Sequence, residues 1–285
     1  MMSNSPMVDD VGKWYDALTD TFARMQGDCV HFGYWRDERD DSPLSQASER
    51  LTDLVIEKSQ VARDHHVLDV GCGTGIPALR LAATTGARVT GITVSSHQVK
   101  TAQANAQAAG VEQRVTFQFA DAMALPFPDA SFDAAIAIES LGNMSDPATA
   151  LAHIARTLRE GGRLVVAGYG FLRRPISGGK KDILDSVAAM FAISSLAATT
   201  TIEDYRQLVE HAGLELEELT DIGENVRPTY TLMADGLKSD EAATRYFGAE
   251  KMKTAATLLE NLSNFQELGY GLLIAKRVEQ HRVPC

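Results

Sequence analysis

Three acidic side chains and a run of glycines stand where chemistry could be done. Residues 67–75 read V-L-D-V-G-C-G-T-G, a buried-strand pattern that carries Asp69 and passes into glycines spaced G-x-G-x-G before a helix beginning near Ile76. Gly71 and Gly73 let the backbone turn sharply and approach a ligand where a Cβ would collide, and Gly75 lets the helix start in tight packing. The turn would thereby offer peptide N–H groups to that ligand. Its third glycine comes one residue earlier than in the G-x-G-x-x-G pattern, whose helix N-terminus holds a pyrophosphate, so a ligand without phosphates fits better. Asp121 follows a further strand pattern in A-D-A-M-A-L-P-F-P-D-A-S-F-D, and Glu139 comes at the end of another in I-A-I-E-S-L.

The elements that must position these groups alternate between strand-like and helix-like patterns, the mark of a parallel sheet with helices on both faces. Short apolar or β-branched runs predict strands at 66–70, 88–93, 115–119, 132–138 and 162–167. Helices are expected at 76–84, 96–109 and 148–158, the last with Ala148, Leu151, Ala152, Ala155 and Leu158 as its sheet-facing stripe. Two later strands, 215–222 and 268–275, would add an antiparallel edge, giving an α/β, Rossmann-like, seven-stranded and mostly parallel sheet. The helix-compatible segments 7–34, 180–197 and 226–262 fall outside the alternation. They are expected to cap the carboxyl ends of the strands, where insertions build specificity. The division expected is a helical lid over 1–48, a ligand-binding core over 49–170, and cap helices with the last strands over 171–285.

The glycine turn, its acidic strand and the acidic site after the third strand together resemble motif I and its partners in class I S-adenosylmethionine-dependent methyltransferases. The resemblance covers nearly the whole chain. The second strand runs into R-V-T-G-I-T-V-S-S-H-Q (88–98) with no acid at its tip. That pattern resembles the branch containing cyclopropane-fatty-acid synthases, tocopherol methyltransferases and actinomycete natural-product methyltransferases. The resemblance implies a backbone contact from Thr93 and a side-chain amide bond from Gln98 to the cofactor's ribose, while Ser95 or Ser96 also caps the following helix. It implies that Asp121 accepts from the adenine amino group, that the amide of Ala122 or Met123 reaches a ring nitrogen, and that Asp69, Gly71, Gly73 and Glu139 complete the cofactor set. The segments W-Y-D-A-L-T-D-T-F-A-R-M-Q-G (14–27) and H-F-G-Y-W (31–35) are similar to the lid of rebeccamycin-type sugar O-methyltransferases. Tyr15 would then touch the cofactor's carboxylate, and Trp14, Leu18 and Phe22 would hold the lid on the core.

Where sugar-methylating relatives carry a pair of histidines after E-S-L, this chain has Gly142 and Asn143, and where they carry an Asp after the fifth strand it has Gly168. Of its seven histidines, only His31 lies in a segment expected to face the pocket. An alcohol nucleophile usually needs a base. The expectation is therefore a small-molecule methyltransferase of secondary metabolism in which C-methylation of an electron-rich or isoprenoid-like acceptor is preferred over O- or N-methylation, or whose nucleophile is already acidic enough to need little help. Tyr15, Asn143 and Tyr169 would orient the acceptor or stabilise charge. Tyr169, Phe171 and Tyr230 either stabilise a cation or line a greasy lid. A cyclase of spinosyn biosynthesis resembles the same lid and core, so the alternative is a cyclase or isomerase that binds the cofactor and transfers no methyl.

Composition bounds the remaining classes. Lysine plus arginine total 27 against 38 acidic residues, a formal net charge of −11, which disfavours a phosphate polymer as partner. The basic stretch Arg173, Arg174, Lys180 and Lys181 reads as a solvated loop. Cys29, Cys72 and Cys285 show no C-x-x-C pair, so no structural metal is expected and a reducing cytoplasm fits. No run of about 18 apolar residues suggests a membrane span. The N-terminal helix would dock on its own core or on a second copy of the chain.

Overall fold

The computed structural model describes Gly12, Asp16, Thr19 and residues 30–190 and 201–278. Seven strands form one sheet in the order β3-β2-β1-β4-β5-β7-β6. The strands are β1 (His66–Val70), β2 (Arg88–Thr93), β3 (Val115–Phe119), β4 (Phe132–Ile138), β5 (Leu158–Leu172), β6 (Leu214–Asp221) and β7 (Leu268–Arg277). β1 to β5 pair in parallel, while β7 runs antiparallel to both β5 and β6. The central strands are buried on both faces, which is why β4 reads F-D-A-A-I-A-I without a polar alternation.

Helices α1 (Leu44–Ser59), α2 (Ile76–Thr85) and α3 (Ser96–Ala109) cover one face, and α4 (Pro147–Thr157) covers the other. The stripe of α4 is rotated from the expected one: Leu151, Ala155 and the following Leu158 are buried, but Ala148 and Ala152 are exposed and Ala150 and Ile154 face the sheet instead. α5 (Gly179–Met190), α6 (Ile202–His211), α7 (Gly223–Val226), α8 (Pro228–Ser239), α9 (Glu241–Phe247) and α10 (Ala249–Ser263) complete the described helices.

Two helices lie outside the expected pattern. α1 crosses residue 48, where the lid was expected to end, and its buried stripe includes Ser48, Thr52 and Ser59, so it reads as polar in sequence. α6 opens on a capping box, the Thr201 side chain accepting from Asp204 N while the Asp204 carboxylate accepts from Thr201 N, and the T-I-E-D signature was readable. β5 runs well beyond the expected 162–167 because β7 supplies antiparallel partners as far as Leu172↔Leu268. Among the described residues no helix is long and apolar enough to cross a membrane.

Candidate active site

β1 lies between β2 and β4, so consecutive crossovers leave the sheet in opposite directions from it, and a crevice opens beyond the carboxyl ends of these strands. The crevice holds about 810 Å³, counted with the solvent open at its mouth. Gly71, Gly73, Thr93, Gln98, Asp121, Ala122, Met123, Glu139 and Asn143 all line it, so separate stretches of sequence converge on one cleft. Val30, Ser140 and Met144, which the sequence did not single out, line it too.

The three glycines have different tasks. A Cβ on Gly73 would meet nothing within 4 Å, with φ at +53°, so this residue faces open space. A Cβ on Gly71 would lie 2.3 Å from Ser140 Cβ, and one on Gly75 2.6 Å from Phe117 Cζ, so those two serve packing. The expectation of bare amides along the turn needs correcting. Gly71 N and Cys72 N both donate to Ile92 O at 2.9 Å, and Gly75 N donates to Cys72 O. β2 thus holds the start of the turn in place before any ligand arrives.

Asp69 is fully buried, and its Oδ2 has no hydrogen-bond partner. Desolvation pushes its carboxyl up to about 7. Asp69 itself does not line the cleft: it sits at the end of β1 behind the glycine turn, with one carboxylate oxygen unmatched. Asp121 Oδ1 accepts from Met123 N at 2.9 Å, so that amide caps a short 3-10 turn and Ala122 retains the neighbouring one. Gln98 is held at both ends of its amide: Thr93 Oγ1 donates to Oε1 at 2.7 Å, and Nε2 donates to Thr19 Oγ1 at 3.2 Å. Ser95 caps α3 by accepting from Gln98 N, as expected, and its hydroxyl donates to Asp16 Oδ1. Asp16 and Thr19 therefore both sit against the start of α3.

Glu139 has φ of +51° immediately after β4 and lines the cleft. Its Oε1 accepts from Phe32 N at 2.7 Å and from the Tyr270 hydroxyl at 2.9 Å, ties that fasten the segment 30–35 over the core. Oε2 takes part in neither bond. Burial outweighs both hydrogen bonds and pushes the carboxyl up to about 8. The same segment is pinned by Gly33 N on Thr229 Oγ1, Tyr34 N on Ala47 O and Trp35 N on Asn225 O. Asn143 Nδ2 donates to Glu139 O at 3.2 Å, on the floor of the cleft.

His31 lies outside the cleft lining. Its Nδ1 donates to Phe32 O at 2.9 Å, because a carbonyl only accepts, and Nε2 faces Thr52 Oγ1 at 3.0 Å. Burial brings it down to about 4, so it is a neutral brace between the lid segment and α1. Phe171 packs on Gly269, where a Cβ would meet its ring at 2.3 Å. Tyr230 packs edge-on against Phe32 with ring centroids 5.0 Å apart. Tyr169 pairs with Tyr270 through the backbone, and its side chain lies outside the description, as do Tyr15, Trp14, Leu18 and Phe22. The four residues of the basic stretch are ion-paired: Arg173 with Asp221 and Glu224, Arg174 and Lys180 with Glu267, and Lys181 with Asp185.

Comparison with known proteins gives the family. Residues 68–166 match the family described as a methyltransferase domain. Methyltransferase GfsG of Streptomyces halstedii is 39% identical over 93% of both chains. The 27-O-demethylrifamycin SV methyltransferase of Amycolatopsis mediterranei is 36% identical over 95% of this chain and 98% of its own. The crystal structure of the [4+2]-cyclase SpnF superposes with a TM-score of 0.84, at 32% identity over 96% and 98% of the two chains. The chain belongs to the class I S-adenosylmethionine-dependent methyltransferases. Within that class it is a small-molecule methyltransferase of the kind found in secondary metabolism, with S-adenosylmethionine as its cofactor.

Proposed function

We propose that this enzyme methylates a hydroxyl oxygen on a largely apolar natural product, with Glu139 as the proton acceptor. The observation that carries the reading is a buried carboxylate in the cofactor cleft, held through one oxygen and poised near neutral pH, in a chain that lacks the His pair and Asp of its sugar-methylating relatives. The sequence alone favoured a carbon acceptor because no base was apparent. The Amycolatopsis relative, named for an oxygen position, weighs the other way.

The cofactor supplies an electrophilic methyl carbon on a sulfonium, and the protein's contribution is to position the nucleophile and take up its proton. Asp69 would receive the amino group of the methionine portion on its orphaned Oδ2. Asp121 and the Ala122 amide would hold the adenine. Gln98 has two N–H groups and spends one on Thr19, so the other remains for the ribose. Asn143, beside Glu139, would orient the acceptor hydroxyl, with Tyr15 and Tyr169 as further candidates from the lid and the end of β5. The segment 30–35 closes the cleft on the Glu139 side and excludes water from the carboxylate.

Incubation of the purified enzyme with methyl-labelled cofactor and a panel of hydroxylated polyketides and terpenoids tests this. The label is expected as a methoxy group in the product. Label on carbon would restore the carbon-acceptor reading, and a converted product of unchanged mass would favour the cyclase alternative that the likeness to SpnF keeps in view.

A further inference from the structure

A second cavity lies at the same end of the sheet, on the other side of the short 3-10 turn Leu141–Asn143. That turn gives Asn143 to the cofactor cleft and Gly142 to this cavity, so one turn separates the two spaces. It holds about 380 Å³ including its mouth. Its origin is a pairing of glycines: Gly168 of β5 stands directly opposite Gly271 of β7. Residues opposed across an antiparallel pair project from the same face. Two residues back along β5, the next pair on that face is Val166 with Leu273, and both are buried. The row of side chains stops at the glycines and leaves a gap where two more would stand. A Cβ on Gly168 would approach nothing nearer than 3.9 Å, so the gap is not required by packing.

The walls are aliphatic apart from Phe171 and Tyr205, which comes from α6 and is the one polar side chain among the lining residues. No described residue hydrogen-bonds the Tyr205 hydroxyl. Burial pushes it up to about 12, so it keeps its proton at physiological pH and is available to donate or accept. An apolar hollow with a single phenol is the usual composition of a small-molecule subsite, in which apolar walls give affinity and one polar group fixes orientation.

We infer that this cavity is the acceptor's anchoring subsite, taking a branched aliphatic portion of the substrate between Gly168 and Gly271, with Tyr205 positioning it through a hydrogen bond to an adjacent oxygen. The inference rests on the methyl-transfer reading of the neighbouring cleft. It explains why Gly142 and Gly168 stand where sugar-methylating relatives have polar side chains: the space those groups would fill is given to hydrocarbon. A sugar would leave its hydroxyls unpaired against such walls. A branched alkyl group would bury its surface there without such a cost.

The test uses the full-length enzyme and two small probes, isoamyl alcohol and isohexane, in which a methyl replaces the hydroxyl. Binding is followed by ligand-observed and methyl-detected NMR with S-adenosylhomocysteine present. Wild-type protein is expected to bind both probes saturably, with nuclear Overhauser contacts to Leu273. Gly168→Val fills the gap, suits a strand, and should leave the melting temperature unchanged or raised while weakening both probes at least tenfold. Tyr205→Phe should weaken isoamyl alcohol about fivefold and leave isohexane unaffected, a split that a merely structural tyrosine would not produce. Isoamyl alcohol binding to Gly168→Val within twofold of wild type, or Overhauser contacts to other residues, would overturn the inference. S-adenosylhomocysteine binding, measured separately by calorimetry, should be the same in all three proteins. Its absence from the wild type would strike the methyl-transfer reading, which is a separate result from any seen with the alcohol.

Discussion

Replacing Asp69 by Asn tests the proposed cofactor contact at the buried acid behind the glycine turn. Burial pushes the carboxyl up to about 7, against 3.8 for an ordinary aspartate. Raising it that far corresponds to roughly 4 kcal/mol of desolvation cost in the cofactor-free protein. If an amino group meets Oδ2 in the complex, binding favours the ionised carboxylate and releases its proton. The affinity for S-adenosylhomocysteine should then rise about tenfold per pH unit up to about pH 7 and level off above it. Asp69→Asn should abolish that slope and weaken binding above pH 7 by about 1.5–3 kcal/mol, the range for a hydrogen bond to a charged group, or about ten- to a hundredfold.

Stability should move the other way. An acid whose folded value is raised contributes stability that is complete below about 3.8 and lost as the pH rises through about 7. Without cofactor at about pH 8, therefore, the variant should melt higher than the wild type. Calorimetric titration from about pH 6 to about pH 8, in buffers of different ionisation enthalpy, reads both the slope and the proton count. A flat affinity over that interval, or a variant that binds as tightly as the wild type, would refute the assignment of Asp69 to the cofactor.

Glu139→Gln should lower methyl transfer to a hydroxyl by about 10²- to 10⁴-fold, and wild-type turnover should rise with pH to a plateau above about 8 that the variant lacks. A pH–rate profile of both proteins checks this. Gly73→Ala should fold and melt within about 2 kcal/mol of the wild type, the ordinary penalty for a positive φ, yet lose cofactor affinity because its Cβ enters open space. Gly75→Ala, whose Cβ would overlap Phe117 and Ala102, should destabilise more strongly; thermal melts paired with calorimetry separate the two. Ser95→Ala removes both the cap of α3 and the hydroxyl bonded to Asp16, so thermal melts should read a loss of about 1 kcal/mol or more.

Much of this molecule was legible from residue order. The boundaries of β1, β2 and β4 follow from short apolar runs bounded by Gly, Asp and Pro, because a strand buried on both faces can be little else. The glycine turn, Thr93, Gln98 and the Asp121 site were readable because each is a local motif with a local task. α1 escaped because its buried stripe carries Ser48 and Thr52, whose partner is His31, far away in sequence. The stripe of α4 was misphased because alanines on both sides of a helix give hydrophobic periodicity little contrast.

The sequence by itself determined the fold class, the cofactor and the place of the cleft, since these depend on backbone turns and strand ends that a few adjacent residues specify. Only the tertiary structure decided what those groups do. It spent the Gly71 and Cys72 amides on Ile92, removed His31 from the pocket, held Glu139 between Phe32 and Tyr270, and set Gly168 opposite Gly271 to open a cavity. Each outcome depends on which chain segments meet and on how far water is excluded where they meet. Pairing across the sheet and burial are properties of the packed whole, and no short stretch of the chain encodes them alone.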